Sequence, residues 1–212
     1  MELLYSKTET LYSRTAIDLI QRDQRNAGAL ATVGYGTALG VVRAAVEQGK
    51  RIKVFATETR PKLQGARLTT FELILDRIPV TLITDNMVGY VMENNLVNKV
   101  IVGADRILAT GHVFNKIGTS AVAIVANHYD VPFYVAAPKS SFDLERSVKR
   151  VEIEQRDPME VKTIGGRLLT PRSILALNPA FDITTPDLVD AIITERGIIR
   201  APYKKNIGRV LG

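Results

Sequence analysis

The stretch IVGADRILATGHVFNKIGT, residues 101–119, decides how the chain can fold, because it starts as a buried strand and then turns polar. Its first two residues are apolar, and two small residues follow them. Asp105 comes next, where the chain would leave the core, and Asn115 and Lys116 stand just before another apolar segment. The pattern predicts a strand that ends at a polar edge and a helix that begins beyond it.

Apolar strand-like runs alternate with helix-like segments on both sides of this stretch. Strands are predicted over residues 52–58, 79–85, 99–105 and 132–138. Helices are predicted over residues 65–77, 87–95 and 118–130. The strand runs are nearly continuous in apolar residues, as expected for strands that are covered on both faces. Their alternation with helices predicts an α/β, Rossmann-like fold, a doubly wound and mostly parallel sheet flanked by helices.

The C-terminal part of the chain is expected to contain one more helix. Thr185 is a suitable N-cap, Pro186 suits the first helical position, and Gly197 would end the helix. The segment before it, residues 150–161, is expected to add an edge strand and a turn.

The N-terminal segment is the least readable part, since it is compatible with either a helix or a poor strand. An α/β domain normally feeds an apolar strand into a glycine-rich stretch, and the sequence shows no clean strand before residue 26. We therefore divide the chain into a divergent segment, residues 1–25, and a Rossmann-like catalytic domain, residues 26–212.

Composition is typical of a globular protein. Of the 212 residues, 46% are hydrophobic and 24% are charged. No apolar run reaches the roughly 18 residues of a membrane span, and the N-terminus lacks the apolar core of a signal peptide. The sequence has no cysteine, which excludes disulfides, thiolate metal sites and a thiol nucleophile. We expect a cytoplasmic protein that does not bind a membrane.

The net charge of +6 comes from lysines and arginines that are scattered along the chain. A protein that binds nucleic acid more often has a basic stripe or interleaved aromatic residues. We therefore expect no nucleic-acid partner, whereas a basic surface suits small phosphorylated substrates.

Polar residues follow four of the predicted strands, at the edge where a doubly wound sheet binds its ligands. They are Glu58, Thr59, Arg60, Asp85, Asn86, Asp105, Arg106, Lys139, Ser140 and Ser141. This pattern is expected of any α/β enzyme and names no reaction. Each of these side chains could equally cap a helix or pair with a neighbour.

The glycine-rich stretch at residues 26–40 is a candidate phosphate-binding loop, with Asn26 and Gly28 at its start. It has neither GxGxxG nor a glycine-lysine pair followed by Ser or Thr. Tight packing between a helix and the sheet explains the small residues equally well.

Asp105 is the strongest single catalytic candidate. A carboxyl group at a strand end among small and apolar neighbours would be partly desolvated, which raises its pKa and makes it a usable general acid. The alternative is an ion pair with Arg106 or a loop cap. His112 and His128 are the only histidines, and without HExxH or a histidine–carboxylate cluster the sequence predicts no catalytic metal.

Several blocks of the sequence together resemble the methylthioribose-1-phosphate isomerase family of methionine salvage. They are NAGALATVGYGTALGVVRAA (26–45), ETRPKLQGARLTTFEL (58–73), IPVTLITDNM (78–87), IVGADRI (101–107), NKIGTSAVAIVA (115–126), VPFYVAAP (131–138), NPAFDIT (178–184) and AIITERGIIRAPY (191–203). The same superfamily includes ribose-1,5-bisphosphate isomerases and regulatory subunits of the exchange factor of translation initiation.

The resemblance implies an aldose–ketose isomerisation of a phosphorylated pentose, with neither a metal nor another cofactor. The anomeric phosphate blocks spontaneous ring opening, so an acid must protonate the ring oxygen, and the matching acid is Asp105. Gln64 matches a substrate-binding glutamine. Asn115 would donate to a substrate oxygen, and Lys116 would meet negative charge on phosphate or on an enediolate-like transition state. The resemblance also implies a homodimer.

Two departures from the family pattern bear on activity. Arg25 stands where the family carries a catalytic cysteine, and arginine cannot give up a proton in a protein. The family's N-terminal helical domain, with an RGAP-type substrate loop, is expected to be missing before residue 1. A truncated or frame-disrupted gene would explain both departures.

Three functions therefore stay open at this point. The chain is an isomerase of methylthioribose phosphate, impaired or intact. Alternatively, it is a non-catalytic regulatory protein of the initiation-factor branch, or an isomerase of ribose 1,5-bisphosphate.

Overall fold

The computed structural model describes residues 27–32 and 37–212, which form one large sheet, two small sheets and their helices. The strands are β1 (Ala27–Thr32), β2 (Ile52–Thr57), β3 (Val80–Ile83), β4 (Lys99–Val102), β5 (Arg106–Leu108), β6 (Val113–Lys116), β7 (Phe133–Ala136), β8 (Phe142–Asp143), β9 (Thr163–Ile164), β10 (Arg167–Leu168), β11 (Phe181–Thr184), β12 (Ala191–Thr194) and β13 (Gly197–Ile199). The helices are α1 (Thr37–Glu47), α2 (Thr70–Leu75), α3 (Val88–Glu93), α4 (Thr119–His128), α5 (Met159–Lys162) and α6 (Tyr203–Leu211).

The large sheet has seven strands in the order β13-β12-β7-β4-β1-β2-β3. Every neighbouring pair is parallel except β12 with β13. This confirms the predicted α/β, Rossmann-like fold and the four predicted strands. The predicted helix at 65–77 is also present, as a π-helical turn at Gly65–Thr69 that continues into α2.

Continuous apolar runs form these strands because both faces of the sheet are covered. In β4, Val100 and Val102 pack in a core with residues of α3, α4 and α6. Ile101 between them packs in a second core with residues of α1. Successive side chains of a strand point to opposite faces, so three consecutive apolar residues are buried only when a helix layer lies on each side.

The central strand β1 corrects the expectation that no strand leads into the glycine-rich stretch. The first part of that stretch is itself the strand, and its Ala29 is paired with Val54 on one side and with Lys99 on the other. Alanine and glycine have low strand propensity, but two flanking ladders override it. Gly28 therefore lies within β1, paired with Lys53, and the expected loop does not begin there. Arg25 and Asn26 lie outside the described residues.

The predicted C-terminal helix is wrong beyond its first turn. Pro186–Leu188 forms a single 3₁₀ turn after Thr185, and the chain then enters β12 and β13. Ile192 and Ile193 are adjacent and both buried, which a strand inside a two-layered core allows and an amphipathic surface helix does not. Gly197, with φ of +138°, makes the hairpin turn instead of a helix end.

The predicted edge strand at 150–161 is also largely absent. The segment has one isolated bridge, between Gln155 and Pro179, and then forms the short helix α5. No helix within residues 27–32 and 37–212 is long and apolar enough to cross a membrane.

Gly65 is required where the turn before α2 meets the end of β2. A Cβ atom built on Gly65 would overlap the carbonyl oxygen of Thr57. Gly65→Ala should therefore lower the free energy of unfolding by about 1–3 kcal/mol. Gly208 is the control, because it lies on the exposed side of α6 and a Cβ atom built there meets nothing. Gly208→Ala should raise that free energy by about 0.5–1 kcal/mol. Urea denaturation measures both, and equal effects would contradict this packing.

Candidate functional site

The carboxyl ends of the parallel strands form one edge, and several polar residues there have structural partners. The Asp85 carboxylate accepts hydrogen bonds from the backbone N–H groups of Thr59 and Arg60, at 2.8 and 2.7 Å. The Lys139 backbone N–H donates to Glu195, and its ammonium donates to the carbonyl oxygen of Leu211. These contacts match the structural interpretation of such residues and leave few polar groups for a ligand.

Asp105 and Lys116 are brought together by a β-hairpin that leaves the sheet after β4 and returns before α4. β5 and β6 pair antiparallel, with Arg106 opposite Phe114. The backbone N–H of Asp105 donates to the carbonyl oxygen of Phe114 at 2.9 Å, which closes the base of the hairpin. The sequence predicted loops here, and the structure instead places both residues at the open end of one hairpin. Their proximity is therefore fixed by backbone pairing.

Within the described residues, the Asp105 carboxyl forms neither the ion pair with Arg106 nor the loop cap of the alternative interpretation, and its role as an acid stays a prediction. Arg106 pairs with Asp143, at 3.3 Å, instead of with Asp105. Asp105 has no side-chain hydrogen bond or ion pair to the described part of the chain. Solvent reaches the carboxyl group, since the residue is exposed, but protein atoms surround its other sides. This partial burial raises the pKa of Asp105, while the positive charges of Lys116 and Arg156 act in the opposite direction.

Lys116 lies half-buried with its Nζ atom 4.4 Å from the centre of the Phe181 ring, in a cation–π contact. Burial lowers the pKa of Lys116, and the nearby charge of Arg156 lowers it further, whereas Asp105 raises it. The ammonium therefore lies where a ligand anion would stabilise it.

Asn115 is buried and holds the turn that carries Lys116. Its side-chain N–H donates to the Thr119 hydroxyl at 3.0 Å. That hydroxyl donates in turn to the carbonyl oxygen of Lys116 at 2.7 Å. The structure thus gives Asn115 a positioning role, and its hydrogen bond to a substrate oxygen stays a prediction.

Gln64 lies at the end of the loop that follows β2, directly before the π-helical turn. Its Oε1 atom is buried and has no hydrogen-bond partner within residues 27–32 and 37–212. A buried acceptor without a partner costs free energy, so a donor on a ligand would satisfy it. Within the described part of the chain, no hydrogen bond or ion pair joins Gln64 to Asp105 or Lys116, and the contact of Gln64 with substrate stays a prediction.

Asp182 holds the turn after Lys116, and the sequence pattern did not indicate this contact. Its carboxylate accepts from the backbone N–H groups of Gly118 at 2.8 Å and of Ser120 at 3.1 Å. Burial raises the pKa of Asp182, and these hydrogen bonds lower it. Asp182 thereby caps the first turn of α4 and fixes the Lys116–Gly118 turn. The first turn of α4 contains no acidic residue. The sequence therefore does not indicate that a residue of the distant strand β11 caps this helix.

A second group that the sequence did not indicate lies on the segment before α5. The Arg156 guanidinium pairs with Glu154, at 2.9 Å, and its Cζ atom lies 5.9 Å from the centre of the Phe181 ring. The segment has alternating charges without strand or helix periodicity, so its place beside Lys116 follows only from the tertiary fold.

A cavity of about 220 Å³ lies beside Lys116, between α3 and α4. Its helix walls are apolar or small and consist of Val88, Gly89, Ala121, Val122 and Val125. Its rim is polar and includes Thr57, Thr59, Asp85 and Asn86. Asp105 is not among the residues that line this cavity.

The two histidines contribute nothing to this edge. The His112 ring is hydrogen-bonded to the Thr110 hydroxyl at 2.8 Å, and the His128 ring packs edge-on against Tyr129. Among the described residues, no group of three or more histidine or acidic side chains could hold a metal ion.

An acid and a lysine thus lie at the carboxyl edge of a parallel α/β sheet, which is the edge where doubly wound domains bind their ligands. The profile of the Initiation factor 2 subunit family matches residues 6–201, and the chain belongs to this family.

The similar curated proteins are methylthioribose-1-phosphate isomerases, which confirms the resemblance seen in the sequence. The one from Carboxydothermus hydrogenoformans is 60% identical over 188 residues, which cover 88% of this chain and 55% of that protein. The one from Fervidobacterium nodosum is 59% identical over 186 residues, covering 87% and 53%. The chain spans about half the length of the curated relatives that it matches.

Two solved structures share the fold over nearly the whole chain. The translation initiation factor eIF-2B, subunit delta, from A. fulgidus has a TM-score of 0.91 at 48% identity, covering 96% of this chain and 61% of that one. The 5-methylthioribose 1-phosphate isomerase from Pyrococcus horikoshii OT3 has a TM-score of 0.89 at 37% identity, covering 96% and 58%.

The coupling of Asp105 and Lys116 can be measured by carbon-13 NMR titration of the carboxyl group. The pKa of Asp105 should lie above that of an ordinary aspartate, because partial burial disfavours the charged form. Lys116→Met should raise it further, since the variant loses a neighbouring positive charge. Lys53→Met, on an exposed lysine near the opposite edge, should leave it unchanged. An Asp105 pKa that Lys116→Met does not move would contradict the arrangement.

Proposed function

We propose that residues 26–212 form the catalytic domain of an aldose–ketose isomerase that converts 5-methylthioribose 1-phosphate to 5-methylthioribulose 1-phosphate. The single observation that carries this proposal is the unpaired carboxyl of Asp105 beside the half-buried ammonium of Lys116. The names of the curated relatives support the same reaction.

Asp105 acts as the general acid of ring opening. Its raised pKa keeps a larger share of the carboxyl protonated than in an ordinary aspartate. The proton passes to the ring oxygen, which also takes the electron pair of its breaking bond to the anomeric carbon. The phosphate-ester oxygen stabilises the electron-deficient anomeric carbon until the C2 proton is lost. Lys116 stabilises the negative charge on the phosphate or on an enediolate-like transition state.

The second proton transfer, between C2 and C1 of the sugar, is the step that this chain performs poorly. The family resemblance assigns it to a cysteine, and Arg25 stands at that position. A guanidinium stays protonated in a protein and cannot act as the base. We therefore expect substrate binding to be retained and turnover to be impaired.

The cavity beside Lys116 favours 5-methylthioribose 1-phosphate over ribose 1,5-bisphosphate. Its helix walls offer apolar surface to a methylthio group, and no lysine or arginine other than Lys116 is among its lining residues. A second phosphate would lose hydration there without gaining a charged partner.

The alternative is a non-catalytic regulatory protein. Arg25 and the likeness to the delta subunit of an initiation factor support this alternative. The unpaired, partly desolvated Asp105 favours the isomerase, because a binding protein has no use for a carboxyl group that is held without a partner.

We also propose that the chain forms a homodimer in the cytoplasm. The C-terminal isoleucines Ile192, Ile193 and Ile199 are buried in the core and are not available for an interface. Among the described residues, the two most exposed large apolar side chains are Leu175 and Leu177 of the preceding loop, at 95% and 85%. Light scattering should give twice the 23.3 kDa chain mass, and Leu175→Glu with Leu177→Glu should give the monomer mass. A wild-type monomer would contradict the dimer.

The central test compares Asp105→Asn with the parent chain in an isomerase assay on both sugar phosphates. Arg25→Cys serves as a second parent, because it should raise any residual activity. Asp105→Asn should lower turnover of 5-methylthioribose 1-phosphate by about 100- to 10,000-fold while leaving its affinity nearly unchanged, since only the acid is lost.

Asp130→Asn is the matched control, because it makes the same chemical change on an exposed residue at the other edge of the sheet. It should leave turnover unchanged. Equal activity of Asp105→Asn and its parent, or preferred turnover of ribose 1,5-bisphosphate, would overturn the proposal.

A further inference from the structure

Two positive charges converge on one aromatic ring beside Asp105. The Nζ atom of Lys116 lies 4.4 Å from the centre of the Phe181 ring, and the Cζ atom of Arg156 lies 5.9 Å from the same point. Phe181 is opposite Lys116 in the β11–β6 ladder, so the ring and the lysine are held by backbone pairing. Neither the sequence pattern nor the family resemblance assigned a role to Arg156.

The position of Arg156 is fixed from its own backbone. Its N–H donates to the carbonyl oxygen of Asn178 at 2.8 Å, and the Ala180 N–H donates to the carbonyl oxygen of Glu154 at 2.9 Å. Two backbone hydrogen bonds therefore join the segment that carries Arg156 to the residues that lead into β11.

The other end of this segment is fixed to the loop that follows β2. The Arg60 side chain donates to the carbonyl oxygens of Val161 at 2.8 Å and Thr163 at 3.2 Å. Lys62 forms an ion pair with Glu160. The segment therefore connects the loop that ends at Gln64 to β11, which pairs with the strand that carries Lys116. Arg156 lies on this segment, which hydrogen bonds hold at both ends.

The Arg156 guanidinium uses only one of its edges within the protein. Its Nε atom donates to Glu154 at 2.9 Å, and its Nη2 atom donates to the other carboxylate oxygen at 3.4 Å. Its Nη1 atom makes no hydrogen bond to the described residues. Because a guanidinium carries five N–H donors, the Nη1 end remains for a ligand. The side chain is 26% exposed, so a small molecule can reach it.

The charges around Arg156 favour the binding of an anion. Arg156 lowers the pKa of Lys116 and also that of Asp105, so it acts electrostatically on both. Glu154, its ion-pair partner, is exposed and offsets its charge only in part. An anion held between Lys116 and Arg156 would relieve the repulsion between them.

We propose that Arg156 is a further substrate-binding residue, whose Nη1 end holds an oxygen of the sugar's phosphate group together with Lys116. This inference rests on the proposed function. It adds Arg156 to Lys116 as the second cation of the proposed phosphate site. The planar guanidinium forms directed, charge-assisted hydrogen bonds to phosphate oxygens, while Lys116 contributes a point charge.

Calorimetric titration of the full chain tests the role of Arg156 with 5-methylthioribose 1-phosphate and its dephosphorylated form. Arg156→Gln should weaken binding of the phosphorylated sugar by about 10- to 100-fold and leave the dephosphorylated sugar unaffected. Arg146→Gln is the matched control, because Arg146 also pairs with a carboxylate, that of Asp143, and lies in a more exposed place. It should change neither affinity.

A comparison with Lys116→Ala separates failure of this inference from failure of the proposed function. Lys116→Ala should weaken binding of the phosphorylated sugar as well. If Lys116→Ala does so and Arg156→Gln does not, the inference fails and the proposed function stands. If neither variant weakens binding, the proposed site itself fails. An equal loss for both sugars in Arg156→Gln would reduce Arg156 to a structural residue and overturn the inference.

Arg156→Lys keeps the positive charge that pairs with Glu154. Its affinity for the phosphorylated sugar can therefore be measured even if Arg156→Gln does not fold. It loses the planar donor set, and we expect its affinity for the phosphorylated sugar to fall between those of the wild type and Arg156→Gln. Wild-type affinity in Arg156→Lys would overturn the directed contact with phosphate.

Discussion

The backbone hydrogen bond from Asp105 to Phe114 closes the hairpin on which the rest of the site depends. With it, the chain leaves the carboxyl end of β4 and returns beside its own starting point. The acid and the ammonium then meet without any direct bond between their side chains. The same ladder continues into β11, which places Phe181 next to Lys116 and Asp182 next to Asn115. Backbone pairing thereby sets the geometry of the chemical groups.

The electrostatics of this edge depend on the partners of its charged groups. Asp105 has no direct ion-pair partner among the described residues, because Arg106 pairs with Asp143. Lys116 rests on an aromatic ring instead of a carboxylate, next to a second cation. Partial burial then raises the pKa of the acid and lowers that of the lysine. Both shifts oppose the charged forms, so a ligand that supplies a negative charge and accepts a proton complements both groups.

The large sheet was predictable from sequence because its strands are nearly continuous apolar runs, rich in β-branched residues in β4 and in aromatic residues in β7. The hairpin was not, since β5 has three residues and lies between polar turns, with no alternation to mark it. The C-terminal strands were mistaken for a helix because Thr185 and Pro186 do begin a helical turn, which then stops. Asp105 and Lys116 can be proposed from sequence because of their places after a buried strand and before a helix. Arg156 and Asp182 act over long sequence separations, and only the tertiary fold brings them to the site.

A crystal structure of the chain with 5-methylthioribulose 1-phosphate tests most directly whether this edge is the site of isomerisation. The account predicts a phosphate oxygen against the ammonium of Lys116 and a sugar oxygen within hydrogen-bond distance of the Asp105 carboxyl. A ligand bound elsewhere, with Asp105 facing only water, would contradict it.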